Sequence, residues 1–191
     1  MTSLFAISLV VVLCEASACT KIWSFSTVIS DFGPSGAVLA PNGRTLYISA
    51  SNYDTDKTYA VDTVTGNQTW VHTTSTQFSP LVLSPDSKTV FVVGVNVSSN
   101  TRLQSTLQAL NAASGTQQWA FDMNGPEQDY YLGLRPAVAP NGHTVYAANF
   151  SEVHAVDATS GKQLWTFHAG DCPHPPTFVF FFLSPCFFSL A

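Results

Sequence analysis

Polar and apolar positions alternate along this chain in short runs broken by turn residues, and the pattern recurs at a fixed period. Runs such as Thr89-Val90-Phe91-Val92-Val93 are rich in the β-branched and aromatic side chains that suit a pleated surface. Three segments share one strand, turn and strand pattern: Leu39-Ala40-Pro41-Asn42-Gly43-Arg44-Thr45-Leu46-Tyr47-Ile48, Leu83-Ser84-Pro85-Asp86-Ser87-Lys88-Thr89-Val90-Phe91-Val92 and Val138-Ala139-Pro140-Asn141-Gly142-His143-Thr144-Val145-Tyr146-Ala147. Each is followed by a second shared element: Ala60-Val61-Asp62-Thr63-Val64-Thr65-Gly66, Ala109-Leu110-Asn111-Ala112-Ala113-Ser114-Gly115 and Ala155-Val156-Asp157-Ala158-Thr159-Ser160-Gly161. A tryptophan stands four residues after the glycine in every copy. Trp23, Trp70, Trp119 and Trp165 are 47, 49 and 46 residues apart, close to the length of a four-stranded propeller blade.

The spacing predicts an all-β chain, a partial β-propeller of about three four-stranded antiparallel blades near residues 36–74, 79–123 and 134–169. A lone outer strand at 20–27, containing Trp23, precedes them. The side chains of Asp62, Asn111 and Asp157 are suited to fold back onto the backbone, and Gly66, Gly115 and Gly161 allow positive φ at the exit of the turn. Trp70, Trp119 and Trp165 recur at one blade position, so they are expected to wedge between neighbouring blades and not to form a substrate platform.

The Ala-x-Asp-x-x-Thr-Gly-x-x-x-Trp pattern resembles the repeat of the pyrroloquinoline-quinone-like (PQQ-like) β-propellers, within the quinoprotein alcohol dehydrogenase-like superfamily, over residues 20–169. The Ser-Pro-Asp-x-Lys-Thr-Val element is also similar to surface-layer and lactonase-like propeller repeats. The resemblance implies a fold shared by quinone-dependent dehydrogenases, outer-membrane assembly lipoproteins and other secreted proteins, so the fold does not select the function. In the dehydrogenases it implies PQQ on the propeller axis, calcium held by Glu, Asn and Asp, an aspartate base and often a vicinal Cys-Cys pair. This sequence has no Cys-Cys pair, and its four tryptophans are used by the repeat.

Ahead of the repeats, Leu4 to Cys14 is an apolar run too short to span a membrane, and Ala16-Ser17-Ala18 matches the pattern read by signal peptidase. Residues 1–18 are expected to be a secretory signal peptide removed before Cys19, although the first twenty residues hold no Lys or Arg. Competing readings are a buried first strand and a lipoprotein signal acylated at Cys19, the latter opposed by Ala16 where such signals usually carry Leu. The protein is then expected outside the cell or in the secretory pathway, or in the periplasm of a Gram-negative host. Sequons at Asn67, Asn96 and Asn149 add possible glycosylation sites.

Residues 171–191 lack strand alternation and turn signals. Their 14-residue stretch from Phe178 to Ala191 is interrupted by Pro185 and too short for a stable membrane span. Phe, Leu, Ser and Pro have pyrimidine-rich codons, so this apolar tail is expected to be a translated intron tract on a fragment of a longer propeller.

Composition then narrows the chemistry. Only 10% of residues are charged and the formal net charge is -5, which leaves no basic surface to follow a phosphate backbone and argues against nucleic-acid binding. Loops at 51–56, 96–104 and 124–133 are expected to form a ligand face. Tyr53, Asp54, Asp56, Glu127, Asp129, Tyr130 and Tyr131 give it negative charge and aromatic surface, suited to a cation, a sugar or a cationic peptide. Asp54-x-Asp56 lacks the further oxygen ligands of a calcium loop, and His168, Cys172 and His174 lack a fourth metal ligand. No nucleophile elbow, phosphate-cradling loop or HExxH occurs. No catalytic, cofactor-binding or metal residue is nominated. The expected function is a secreted, non-catalytic propeller that binds an unknown protein or carbohydrate; the rival is a fragment of a PQQ-dependent dehydrogenase, which alone would need PQQ and Ca2+.

Overall fold

The computed structural model describes residues 6–15, 18–28, 32–51, 56–74, 76–77, 81–96, 104–123, 135–149 and 152–168. Every regular element among them is a β-strand, and all pairings are antiparallel. A hairpin of β1 (Ala6–Glu15) and β2 (Ala18–Val28) comes first. Blade 1 follows as β3 (Phe32–Leu39), β4 (Thr45–Ser51), β5 (Asp56–Asp62) and β6 (Gln68–Thr74), neighbours in chain order. In blade 2, β7 (Thr76–Gln77) and β8 (Leu81–Leu83) both pair with β9 (Thr89–Asn96), which continues to β10 (Gln104–Asn111) and β11 (Gln117–Met123). Blade 3 is β12 (Ala137–Val138), β13 (Thr144–Ala148), β14 (Glu152–Asp157) and β15 (Gln163–His168). This is the partial propeller that the repeat predicts. No described helix is long and apolar enough to cross a membrane.

Several boundaries differ from the expected ones. Blade 1 begins at Phe32, earlier than residue 36, and its register shifts on both sides of Pro34, which has no N–H to give to a ladder. The inner edge of blade 2 is split between β7 and β8, with Pro80 between them in sequence. The strand expected alone at 20–27 has a partner: β2 pairs with β1 from Ala6↔Val28 to Glu15↔Ala18. The apolar run read as a signal core thus contains most of strand β1.

One turn design recurs in each blade. The Asp62 carboxylate accepts from the Val64 and Thr65 amides at 3.0 and 2.8 Å and from the Thr65 hydroxyl at 2.9 Å. Asp157 repeats this with Thr159 and Ser160, and the Asn111 amide oxygen accepts from the amides of Ala113 and Ser114. These bonds hold the carboxyls of Asp62 and Asp157 below the usual carboxylate range. Asparagine serves equally because the bonds need only an oxygen acceptor.

The apolar core lies between sheets, not within them. Trp23 of the hairpin joins Ile48, Ala50, Tyr59 and Val61 of blade 1. Trp70 of blade 1 joins Val90, Val92, Leu110 and Ala112 of blade 2, and Phe91 and Leu107 of blade 2 meet Val145 and Val156 of blade 3. At each seam an indole lies on the glycine turn of the following blade and donates Nε1–H to the carbonyl after the Asx residue. Trp23 reaches Thr63 O at 2.6 Å, Trp70 reaches Ala112 O at 2.9 Å and Trp119 reaches Ala158 O at 3.1 Å. A Cβ on Gly115 would stand 2.5 Å from Trp70 Cε3, so the turn glycine also has to leave room for a ring. Trp165, expected to wedge in the same way, is 49% exposed.

Gly43 and Gly115 have nearly the same φ, +69° and +72°, but a Cβ on Gly43 would meet nothing within 4 Å. Gly43→Ala is therefore expected to cost about 1 kcal/mol for positive φ alone. Gly115→Ala adds overpacking at the seam and is expected to cost roughly 2–4 kcal/mol; urea unfolding of the two variants measures the difference.

Candidate functional site

A second contact repeats at each seam, two residues after the tryptophan. Phe25 meets Tyr59 edge to face with centroids 5.3 Å apart, and Phe121 meets His154 in the same way at 5.5 Å. At the seam between blades 1 and 2 the residues at the equivalent positions are His72 and Gln108, and burial holds the His72 imidazole below its usual 6.5. One position of the third strand, just before Ala60, Ala109 and Ala155, thus carries Tyr59, Gln108 or His154.

Where that residue is His154 a cleft of about 340 Å³ opens, lined by Asp122 of blade 2 and by Glu152, His154, Gln163, Thr166 and His168 of blade 3. Strand register brings these side chains together: Glu152 is directly across from His168, and His154 from Thr166, with alternate residues sharing one face of the sheet. Glu152 lies between two imidazoles, with Oε2 3.2 Å from His154 Nε2 and Oε1 2.9 Å from His168 Nδ1. His154 Nδ1 is 3.2 Å from the Thr166 hydroxyl. The carboxylate only accepts, so neutral His154 carries its proton on Nε2 and accepts from Thr166 through Nδ1. Burial holds the His154 imidazole below 6.5 and His168 pushes the same way, while Glu152 and Gln163 oppose them. Asp122 accepts from Thr106 at 3.1 Å within blade 2.

The order hydroxyl, imidazole, carboxylate is that of a nucleophile relay, but this geometry works as a staple. His154 is 3% exposed, covered by Phe121, and Glu152 is also held by His168. No group of three His, Cys, Asp or Glu placed to hold a metal occurs among the described residues. The cleft offers acceptors and an imidazole edge to a polar group of a bound molecule.

Of the residues expected on the ligand face, Tyr53, Asp54, Glu127, Asp129, Tyr130 and Tyr131 lie outside the described residues, as do Cys172, His174 and residues 171–191. Asp56 is corrected: it opens β5 opposite Ser51 and Thr74 and is 2% exposed, a strand residue and not a loop residue. His168, weighed with Cys172 and His174 as a metal cluster, pairs with Glu152. The sequence reading missed Asp122, Glu152, His154, Gln163 and Thr166; the available hint was Glu152-x-His154 on one strand and Thr166-x-His168 on the next. Among the sequons, Asn67 is exposed. Asn149 is half-buried, and its side-chain oxygen accepts the Glu152 amide at 2.8 Å beside this cleft.

These blades, joined through indole-on-glycine seams, define a β-propeller of the PQQ-like class. A family model described as outer membrane protein assembly factor BamB matches residues 10–171, and the chain belongs to that family. Among solved structures, BamB from Moraxella catarrhalis is similar at 18% identity with a TM-score of 0.62, covering 92% of this chain and 55% of that one. Kuenenia stuttgartiensis hydrazine synthase (18% identity, TM-score 0.52) aligns with 72% of this chain and 43% of its own. A structure titled as the eukaryotic initiation factor (14%, 0.54) aligns with 72% and 33%. These likenesses are of fold, and this chain spans about half the length of the BamB structure. No curated protein matches it.

Because His72 and His154 are held below 6.5, the unfolded chain binds protons first as pH falls. Their contribution to stability is full above about pH 6.5 and is lost progressively below it. The lowered carboxyls of Asp62, Asp86 and Asp157 give theirs up only below about 3.8. Denaturation at pH 7.5 and 5.5 is expected to give lower stability at the acid value, and His154→Gln is expected to remove part of that difference.

Proposed function

We propose that this chain is an exported, non-catalytic propeller scaffold whose loops and seam cleft bind another protein or a carbohydrate, with no need of PQQ or Ca2+. Membership over residues 10–171 in the family described as an outer membrane protein assembly factor carries this reading. The packing agrees with it: Trp23, Trp70 and Trp119 and the Asx-glycine turns are committed to the seams, so recognition falls to the loops between strands. The acidic and aromatic residues Asp54, Glu127, Asp129, Tyr130 and Tyr131, with Tyr53, belong to those loops in sequence. They suit a partner offering cationic groups or sugar hydroxyls. Export follows from the Ala16-Ser17-Ala18 site.

Two measurements test this proposal. N-terminal sequencing of exported protein is expected to begin at Cys19; recovery only of a soluble cytosolic chain retaining Met1 overturns the export half. For binding, cross-linking in the exported compartment is expected to trap a partner. A combined Asp129→Ala, Tyr130→Ala, Tyr131→Ala variant is expected to lower its yield on the order of tenfold, the loss of about 1.4 kcal/mol, with an unchanged melting temperature. Saturable PQQ binding in the presence of Ca2+, followed by dye reduction, would falsify the non-catalytic half.

A further inference from the structure

The cleft at the seam between blades 2 and 3 has walls from two sheets. Asp122 stands on β11 of blade 2, and Glu152, His154 and their neighbours stand on β14 and β15 of blade 3. Two carboxylates therefore border one space of about 340 Å³, and no lysine or arginine is among the described residues that line it. A cleft bordered by charge of one sign attracts the other and repels anions. Its lining includes no apolar side chain to seat a hydrophobic anchor and no Phe, Tyr or Trp face on which a sugar ring stacks. With no metal-holding group of three among the described residues, the ligand that fits this lining is a cationic hydrogen-bond donor.

The bonds already made leave room for it. Neutral His154 and His168 each give one N–H to Glu152, at 3.2 and 2.9 Å, and Asp122 receives the Thr106 hydroxyl at 3.1 Å. A carboxylate has about four lone-pair sites, so both acids keep acceptor capacity. The imidazoles fix Glu152 in place without neutralising it, as long as they are themselves uncharged. An ammonium is a compact, strongly hydrated point charge, whereas a guanidinium spreads several N–H donors over a rigid planar fork and is more weakly hydrated. The fork is the cation suited to acceptors on two walls.

We propose that this cleft takes the arginine side chain of a protein partner, with Glu152 and Asp122 as its acceptors, and that protonation of His154 and His168 expels it. The inference rests on the binding role proposed above and names the occupant of the cleft. The titratable groups that face His154 are Glu152 on its own strand, His168 on β15 and Asp122 on β11. Burial, aided by His168, holds the His154 imidazole below its usual 6.5, so it is uncharged at neutral pH. Once protonated, the imidazoles compete with a guanidinium for Glu152 and repel it, and by linkage a bound guanidinium opposes their protonation. Affinity is then full above about pH 6.5 and falls as pH drops through the imidazole range.

Titration of the full chain with an end-blocked Gly-Arg-Gly peptide, followed by backbone amide NMR signals, tests this. At pH 7.5 the signals of Asp122, Glu152 and Thr166 are expected to shift saturably while those of blade 1 stay in place. Glu152→Gln and Asp122→Asn are each expected to weaken binding roughly tenfold. Asp122→Asn keeps an oxygen for the Thr106 hydroxyl and decides the matter alone if Glu152→Gln does not fold by circular dichroism. Affinity of the unsubstituted chain is expected to fall on the order of tenfold from pH 7.5 to 5.5, and a His154→Gln, His168→Gln double variant to bind at pH 7.5 but lose that drop, which a merely structural pair of histidines does not predict. A blocked Gly-Lys-Gly peptide is expected to bind several-fold more weakly, and free arginine no more tightly than the blocked peptide. Absence of saturable shifts, equal binding of the lysine peptide, tighter binding of free arginine, or an affinity indifferent to pH each overturns the proposal. These peptides report on the cleft alone, so their failure leaves the cross-linking and the loop variant to decide the scaffold reading.

Discussion

The fold rests on one contact: an indole laid on a turn that has no side chain, with its N–H given to a carbonyl of the same turn. The strand ladders hold each blade flat, but the core residues of this chain lie between one sheet and the next. Nothing in a ladder brings two sheets together. The indole does so with a large apolar surface and one directional bond, and the turn is shaped by the Asx side chain to receive it. The same short segment thus ends one hairpin and anchors the neighbouring blade.

Beside that constant contact, the adjoining seam position varies in chemistry. Phe25 on Tyr59 is an aromatic pair, His72 beside Gln108 is polar, and Phe121 on His154 joins an apolar ring to an ionisable one. Because the indole and glycine carry the docking, this neighbour is free to differ. At the third blade it supplies a buried imidazole that orients Glu152 and Thr166.

The repeat was legible in the sequence because its parts are local: the glycine, the Asx residue and the tryptophan lie within nine positions of one another in every copy. The turn conformations were readable from Asp62, Asn111 and Asp157 for the same reason. What escaped depends on partners distant in sequence. The local pattern marks the glycines as positive-φ residues, whereas their second duty, leaving room for a ring from the preceding sheet, is visible only across a seam. The Glu152, His154 and His168 cluster depends on the register of β14 against β15, which periodicity alone does not set. Asp56, an acidic residue near a tyrosine and an aspartate, has loop composition, although the ladder of blade 1 extends to include it.

The Trp-to-Gly seam also has a bearing on how such a chain is assembled over generations. Each unit offers an identical socket on one side and an identical plug on the other, so a unit copied by unequal crossing-over joins its neighbours without any new contact having to arise. The spacings of 47, 49 and 46 residues between the tryptophans show that unit lengths can drift between sockets without disturbing the joints. Growth or loss of whole units is then a single genetic step, while acquiring a new chemistry requires only a change at the tolerant site beside one joint.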